Sequence, residues 1–141
     1  MSIWHAPFTV DEINQRFNGG LAAHLGIQIS ACGDDWISGT MPVLPRVHQP
    51  MGLLHGGASV ALAETLGSVG ANLCVDYTRQ RCVGQEINAN HIRGITDGIV
   101  TGTARAVHIG SRSHVWQIEI KNAAGQLVCL SRLTIAVVDS R

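Results

Sequence analysis

Apolar and polar positions change their spacing several times along this chain. Thr9-Val10-Asp11-Glu12 has the capping-box form and predicts a short helix from Val10 to about Phe17, ended by Gly19-Gly20. A second short turn around Leu21–Leu25 stops at Gly26. Ile27–Ala31 and Trp36–Val43 read as two strands joined by the turn Cys32-Gly33-Asp34-Asp35, and Pro42, Pro45 and Pro50 mark an irregular connection after them. The period then lengthens. Leu62, Leu66, Val69 and Leu73 recur at helical spacing, while Ser59, Ala63, Gly67 and Gly70 form a stripe of small residues that lets a neighbouring element approach closely. Glu64 and Ser68 fall on a third face, one turn apart, so no solvated face remains and the helix is expected to be buried.

After the loop 76–80 the pattern shortens to a period of two. Strands are predicted at 82–92, 98–107, 113–122 and 127–138, with turns at Thr96-Asp97-Gly98, Ile109-Gly110 and Asn122-Ala123-Ala124-Gly125. Trp116, Ile118 and Ile120 alternate with Gln117, Glu119 and Lys121, as in a sheet with one covered face, so Trp116 reads as core. Leu127, Cys129, Leu133, Ile135 and Val137 share one face of the last strand. The pattern predicts an α+β fold: one long buried helix among about six antiparallel strands, in a single domain spanning 1–141.

Charge narrows the partners. Ten Lys and Arg balance ten Asp and Glu, and the basic residues are scattered, which leaves no electrostatic case for nucleic acid or an anionic membrane. Only 14% of residues are charged against 45% hydrophobic, so subunit contacts are expected to cover part of the surface. The four cysteines have no Cys-x-x-Cys spacing and the seven histidines no His-x-x-x-His spacing, so no metal or other cofactor is called for. With no signal peptide in view, reduced thiols of a cytoplasmic protein are expected. The stretch 53–75 is long enough to span a bilayer, yet Glu64, five further polar side chains and four glycines argue for a helix inside a globular core.

Candidate chemistry concentrates in His48-Gln49-Pro50-Met51-Gly52-Leu53-Leu54-His55-Gly56-Gly57 and the helix behind it. Glu64 is the only charged residue from Leu53 to Val75, and a lone carboxylate among apolar neighbours is costly to bury. Gly56 and Gly57 at the head of the helix permit close backbone approach and leave N–H groups free for a ligand oxygen. The pair points to a polarised carbonyl held near a reactive carboxylate.

Gln49-Pro50, Gly52 to Ser59, Leu62-Ala63-Glu64, Gly67-Ser68, Ile87 to His91 and Val115 to Glu119 together resemble the hotdog-fold acyl-CoA thioesterases. The likeness is to the group that includes the 4-hydroxybenzoyl-CoA, phenylacetate-pathway, enterobactin-proofreading and dihydroxynaphthoyl-CoA enzymes, and it runs from about Leu25 to Val138. It implies a hotdog fold, hydrolysis of a thioester, most often an aromatic acyl-CoA, to a carboxylate and free CoA, and dimers that usually pair again into tetramers. By the same resemblance the Gly56 N–H polarises the carbonyl, and Glu64 attacks it or activates water. Gln49 and His55 orient the carbonyl, and Ser68 positions water or the carboxylate. His91 to Arg93 and Gly110-Ser111-Arg112 match where related enzymes bind the CoA nucleotide and its phosphates. Met51 stands where they usually carry an aromatic beside the Gln-Pro. The same fold also hosts acyl thioester dehydratases, which need a His–acid pair, and acyl-CoA binding modules without catalysis.

One expectation needs no resemblance. On a single straight helix, eight residues separate Gly56 from Glu64 by ~12 Å along the axis and about 80° around it. Both groups flank one thioester carbon only if two chains contribute, so the spacing predicts a homodimer with composite sites, Gln49 to Gly56 of one chain facing Glu64 of the other.

Overall fold

The structure is a computed structural model describing residues 1–141. A six-stranded antiparallel sheet wraps one long helix. The elements run α1 (Val10–Arg16), α2 (Gly20–Leu25), β1 (Gln28–Cys32), β2 (Trp36–Pro42), a 3-10 turn (Pro45–Val47), α3 (Gly56–Leu73), β3 (Gln80–His91), β4 (Ile99–Ile109), β5 (Ser113–Lys121) and β6 (Leu127–Asp139). The strand order is β1-β2-β4-β5-β6-β3, which leaves β1 and β3 as the two edges. No helix is long and apolar enough to cross a membrane.

The local signals act as their chemistry requires. Thr9 accepts from the Glu12 N–H while the Glu12 carboxylate accepts from the Thr9 N–H, so the capping box starts α1 as predicted. Gly26 ends α2 in the left-handed conformation (φ +71°), open to a residue without a β-carbon.

The small-residue stripe of α3 does bring the helix close to the sheet. A β-carbon on Gly70 would meet the Trp116 ring at 2.9 Å, and one on Gly67 would meet Leu133 at 2.6 Å. The sheet makes room in return. Gly39 of β2 and Gly102 of β4 face each other across the ladder, and Leu66 of α3 fills the hole between them. Trp116, Ile118 and Ile120 are fully buried beneath the helix, with Leu133 and Ile135 beside them.

Strict alternation fails at four irregularities. At the start of β6, Ile120 faces Cys129 while Lys121 faces Leu127, so Val128 is an extra residue, and it turns inward to be buried. Further shifts fall between Ile29 and Ala31, between Gly84 and Glu86, and between Ala106 and His108.

Candidate active site

The connection before α3 folds back on itself. Gln49-Pro50-Met51-Gly52 forms a turn in which the Gly52 N–H donates to the Gln49 carbonyl at 2.9 Å, with Pro in the second position. Gly52 has φ +77°. A bridge between His48 and Leu54 closes the loop, and the His55 N–H donates to the Val47 carbonyl. The Gln49 side-chain oxygen accepts from the Met51 N–H, which leaves the Gln49 amide nitrogen as a donor. Met51 lends only its backbone to this arrangement. Its side chain is 79% exposed.

His55 is the N-cap of α3, its Nδ1 accepting from the Gly57 N–H at 2.8 Å. The His55 carbonyl accepts from the Ala58 and Ser59 N–H groups. The first turn is thereby satisfied except at Gly56, whose N–H makes no hydrogen bond within the chain. The free donor sits where the positive end of an 18-residue helix adds its field.

Around this N–H lies a cavity of about 290 Å³, lined by Gln49, Leu54, Gly56, Ser59, His91 and Arg93 among others. The end of β3 delivers His91 and Arg93. The Ile92 and Arg93 N–H groups both donate to the carbonyl of the bulged Val128, at 2.8 and 3.3 Å, and this turns the chain over the helix N-terminus. None of the four free cysteines lines the cavity. Burial pushes the Cys82 thiol up to about 11, far from nucleophile behaviour at neutral pH.

Glu64 is elsewhere. α3 runs unbroken from Gly56 to Leu73, so the helical separation between Gly56 and Glu64 stands, and Glu64 does not line the cavity. Its carboxylate lies against Gly84 of the edge strand β3, half-buried and without an ion pair. Ser68, one turn on, is also half-buried, and its carbonyl accepts from the Asn72 amide. Beyond Gly57 the helix has no fully exposed position, but Val60, Glu64 and Ser68 form a half-open stripe beside β3. A second cavity, of about 140 Å³, is lined by Phe17, Ala22, Ile27, Thr65 and Val69, the last two being the residues that follow Glu64 and Ser68.

Ser111 and Arg112 lie apart from the cavity at Gly56. They form the exposed turn between β4 and β5. The neighbouring Ser113 stands opposite Ala136 of β6, whereas His91 stands opposite Cys129, seven residues away. That distance is ~23 Å along the strand. Gly84 pairs with Ile135, so Glu64 lies toward the Ser111–Arg112 end of the sheet. The chain therefore carries two half-sets: Gln49, His55, Gly56, His91 and Arg93 at one end, and Glu64, Ser68, Ser111 and Arg112 toward the other. Neither Arg93 nor Arg112 is held in an ion pair.

The thioesterase superfamily model matches residues 51–129, more than half of the chain. The chain belongs to the thioesterase superfamily. Relatives agree over nearly its whole length. The chain is 48% identical over 136 residues to the 1,4-dihydroxy-2-naphthoyl-CoA hydrolase of Escherichia coli, covering 96% of this chain and 99% of that one. It is 46% identical to the proofreading thioesterase EntH of Cronobacter turicensis, covering 96% and 98%. Among solved structures, a thioesterase of Pseudomonas aeruginosa carrying the substitution Q49A superposes with a TM-score of 0.96 at 45% identity, over 99% of this chain and 100% of that one. A Haemophilus influenzae thioesterase superposes at 0.93 with 47% identity, over 97% and 95%. The fold is the hotdog fold, and the protein is a thioester hydrolase.

Two wall residues of this thioesterase escape a reading of the sequence. Ser59 is only 2% exposed, and it lines the cavity from the first turn of α3. Its place in the small-residue stripe hides it among packing residues. Val128 reaches the cavity only because of the bulge, which no spacing announces.

Proposed function

We propose that this thioesterase hydrolyses an aromatic acyl-CoA to the free acid and CoA in sites shared between two copies of the chain. One copy supplies Gln49, His55 and Gly56 to hold the thioester carbonyl. The other supplies Glu64 and Ser68. The observation that carries this reading is the lone free N–H of Gly56 at the head of a helix whose only carboxylate lies more than two turns away, toward the edge of the sheet.

The chemistry follows from the donors. As the carbonyl carbon becomes tetrahedral, its oxygen gains negative charge, which a fixed N–H and the helix dipole stabilise; one such donor is typically worth ~3 kcal/mol. Glu64 either attacks that carbon, giving an anhydride that water opens, or draws a proton from an attacking water. In both routes the C–S bond breaks, the CoA thiolate leaves and takes up a proton, and water's oxygen ends in the carboxylate. Arg93 and, from the other copy, Arg112 are free cations of the kind that hold phosphate groups of CoA.

Further observations support this reading. β3 is a twelve-residue edge with Val83 to Glu86 exposed, and an edge of that length invites a second strand. Pairing there would cover the half-open stripe that carries Glu64. A Staphylococcus aureus relative has been solved with a glutamate replaced by Ala and, separately, with a glutamine replaced by Ala, and those positions are as far apart as Gln49 and Glu64. An aromatic acyl group is favoured because the similar Escherichia coli enzyme is named for a naphthoyl-CoA. The cavity beside Thr65 and Val69, whose wall mixes Phe17 and Ile27 with Asn14 and Gln28, offers that group a place near Glu64.

The test is free-thiol release from aromatic, short aliphatic and long-chain acyl-CoAs, by the wild type and by Glu64→Gln. The expected result is fastest turnover of benzoyl- or naphthoyl-type thioesters and a fall of ~10³-fold or more in the variant. A fall below about tenfold removes Glu64 from the mechanism.

A further inference from the structure

His91 has a place that its resemblance to nucleotide-binding positions does not account for. A β-carbon on Gly56 would lie 2.7 Å from His91 Nε2, 3.0 Å from Cε1 and 3.2 Å from Cδ2. The ring thus approaches the head of α3 apex first, with Nε2 leading. A side chain at Gly56 would have to displace the imidazole from that space. Nε2 makes no hydrogen bond within the chain, and neither does the Gly56 N–H beside it. The Gln49 amide lines the same cavity, its oxygen already taken by the Met51 N–H.

We propose that His91 is a donor in the carbonyl-binding hole, its Nε2–H aimed with the Gly56 N–H at the thioester oxygen. This rests on the thioester-hydrolase reading of the cavity and adds a catalytic residue to it. The Gly56 N–H and the His91 ring line one cavity, and neither has a hydrogen-bond partner within the chain. The acceptor that gains most there is an oxygen whose negative charge grows during the reaction. Ser59 lies in the same wall.

The experiment presents one acyl group in two forms, as the CoA thioester and as the N-acetylcysteamine thioester, which has no nucleotide. Wild type, His91→Ala, His91→Phe and His91→Gln are compared on both. The Phe variant keeps a ring against Gly56 but has no donor, and the Gln variant restores an N–H of similar reach. The expected result is a fall in kcat of ~10²-fold for Ala and Phe on both thioesters, with little change in KM and substantial recovery in Gln. A loss confined to the CoA thioester and to KM assigns His91 to the nucleotide and overturns the proposal. A change under about threefold on both thioesters overturns it as well. Full activity of all three variants, with Glu64→Gln inert, sinks this inference alone. A wild type that turns over neither thioester sinks the reading on which it rests.

Discussion

Gly84 on β3 lies so close beneath Glu64 that a β-carbon there would stand 2.7 Å from the carboxylate Oε1, with the next atoms no nearer than 3.8 Å. The strand edge therefore sets where the carboxylate rests. Replacing Gly84 by Ala pushes only the end of a flexible side chain, so the fold should survive while the carboxylate shifts by a fraction of an ångström. With Glu64 in its proposed role, the expected outcome is a change in stability below about 1 kcal/mol and a fall in kcat of ~10- to 100-fold, because small displacements of a reacting group are that costly. Thermal unfolding and steady-state kinetics on the same preparation check it. Unchanged kcat would show that the carboxylate moves into place only when substrate binds.

Leu66 is the plug that joins the helix to the sheet. Leu66→Ala empties a hole lined by glycines that cannot close it, and a loss of ~2–5 kcal/mol is expected. The two glycines are not equivalent. A β-carbon on Gly39 would meet the Gln28 carbonyl oxygen as well as Leu66, both at 2.7 Å, whereas one on Gly102 meets only the ends of Leu66 and Leu62. Side-chain ends yield and backbone does not, so Gly39→Ala should cost more than Gly102→Ala, by about 1 kcal/mol or more. Denaturant midpoints rank the three variants, and the reverse order for the glycines would contradict this packing.

A shared site makes a prediction about mixtures. Gln49→Ala damages the carbonyl-holding half and Glu64→Gln the carboxylate half. If two chains build each site, a mixed dimer keeps one intact site. Co-refolding equal amounts of the two inactive variants should restore about a quarter of the wild-type rate under random pairing. No recovery in a mixture shown to contain mixed dimers would place both half-sets in one chain.

His114 on β5 is 1% exposed, and its Nδ1 has no partner. Burial, and secondarily the neighbouring charge of His108, holds its imidazole below the ordinary value of 6.5, with the Gly110 backbone opposing the shift. The unfolded chain thus takes up this proton before the folded one does. Folding stability from this group is present above about 6.5 and is lost as pH falls from there toward the lower folded value. Denaturant midpoints between pH 5 and pH 8 should fall on the acid side in the wild type and flatten in His114→Leu. An identical slope in both would clear His114 of the effect.

The helices, strands and turns were legible in the sequence because each rests on short-range chemistry. The capping box before Val10, the glycine after Leu25, the helical repeat of Leu62, Leu66 and Val69 and the alternation from Trp116 to Ile120 all act within a few residues. So did the distance between Gly56 and Glu64, since an unbroken helix has one pitch.

Tertiary structure decided the rest. That His91 approaches Gly56 by its Nε2 apex, that Val128 turns inward, that Gly84 lies under Glu64 and that Ser111 and Arg112 stand at the far end of the sheet from His91 all depend on strand register. Register in turn depends on bulges such as those near Gly84 and Val128, where a single extra residue changes which side chains face the helix. Local pattern specifies which residues form an element and which face it buries. Only the packed sheet specifies what that face meets, because such contacts join residues that no periodicity relates.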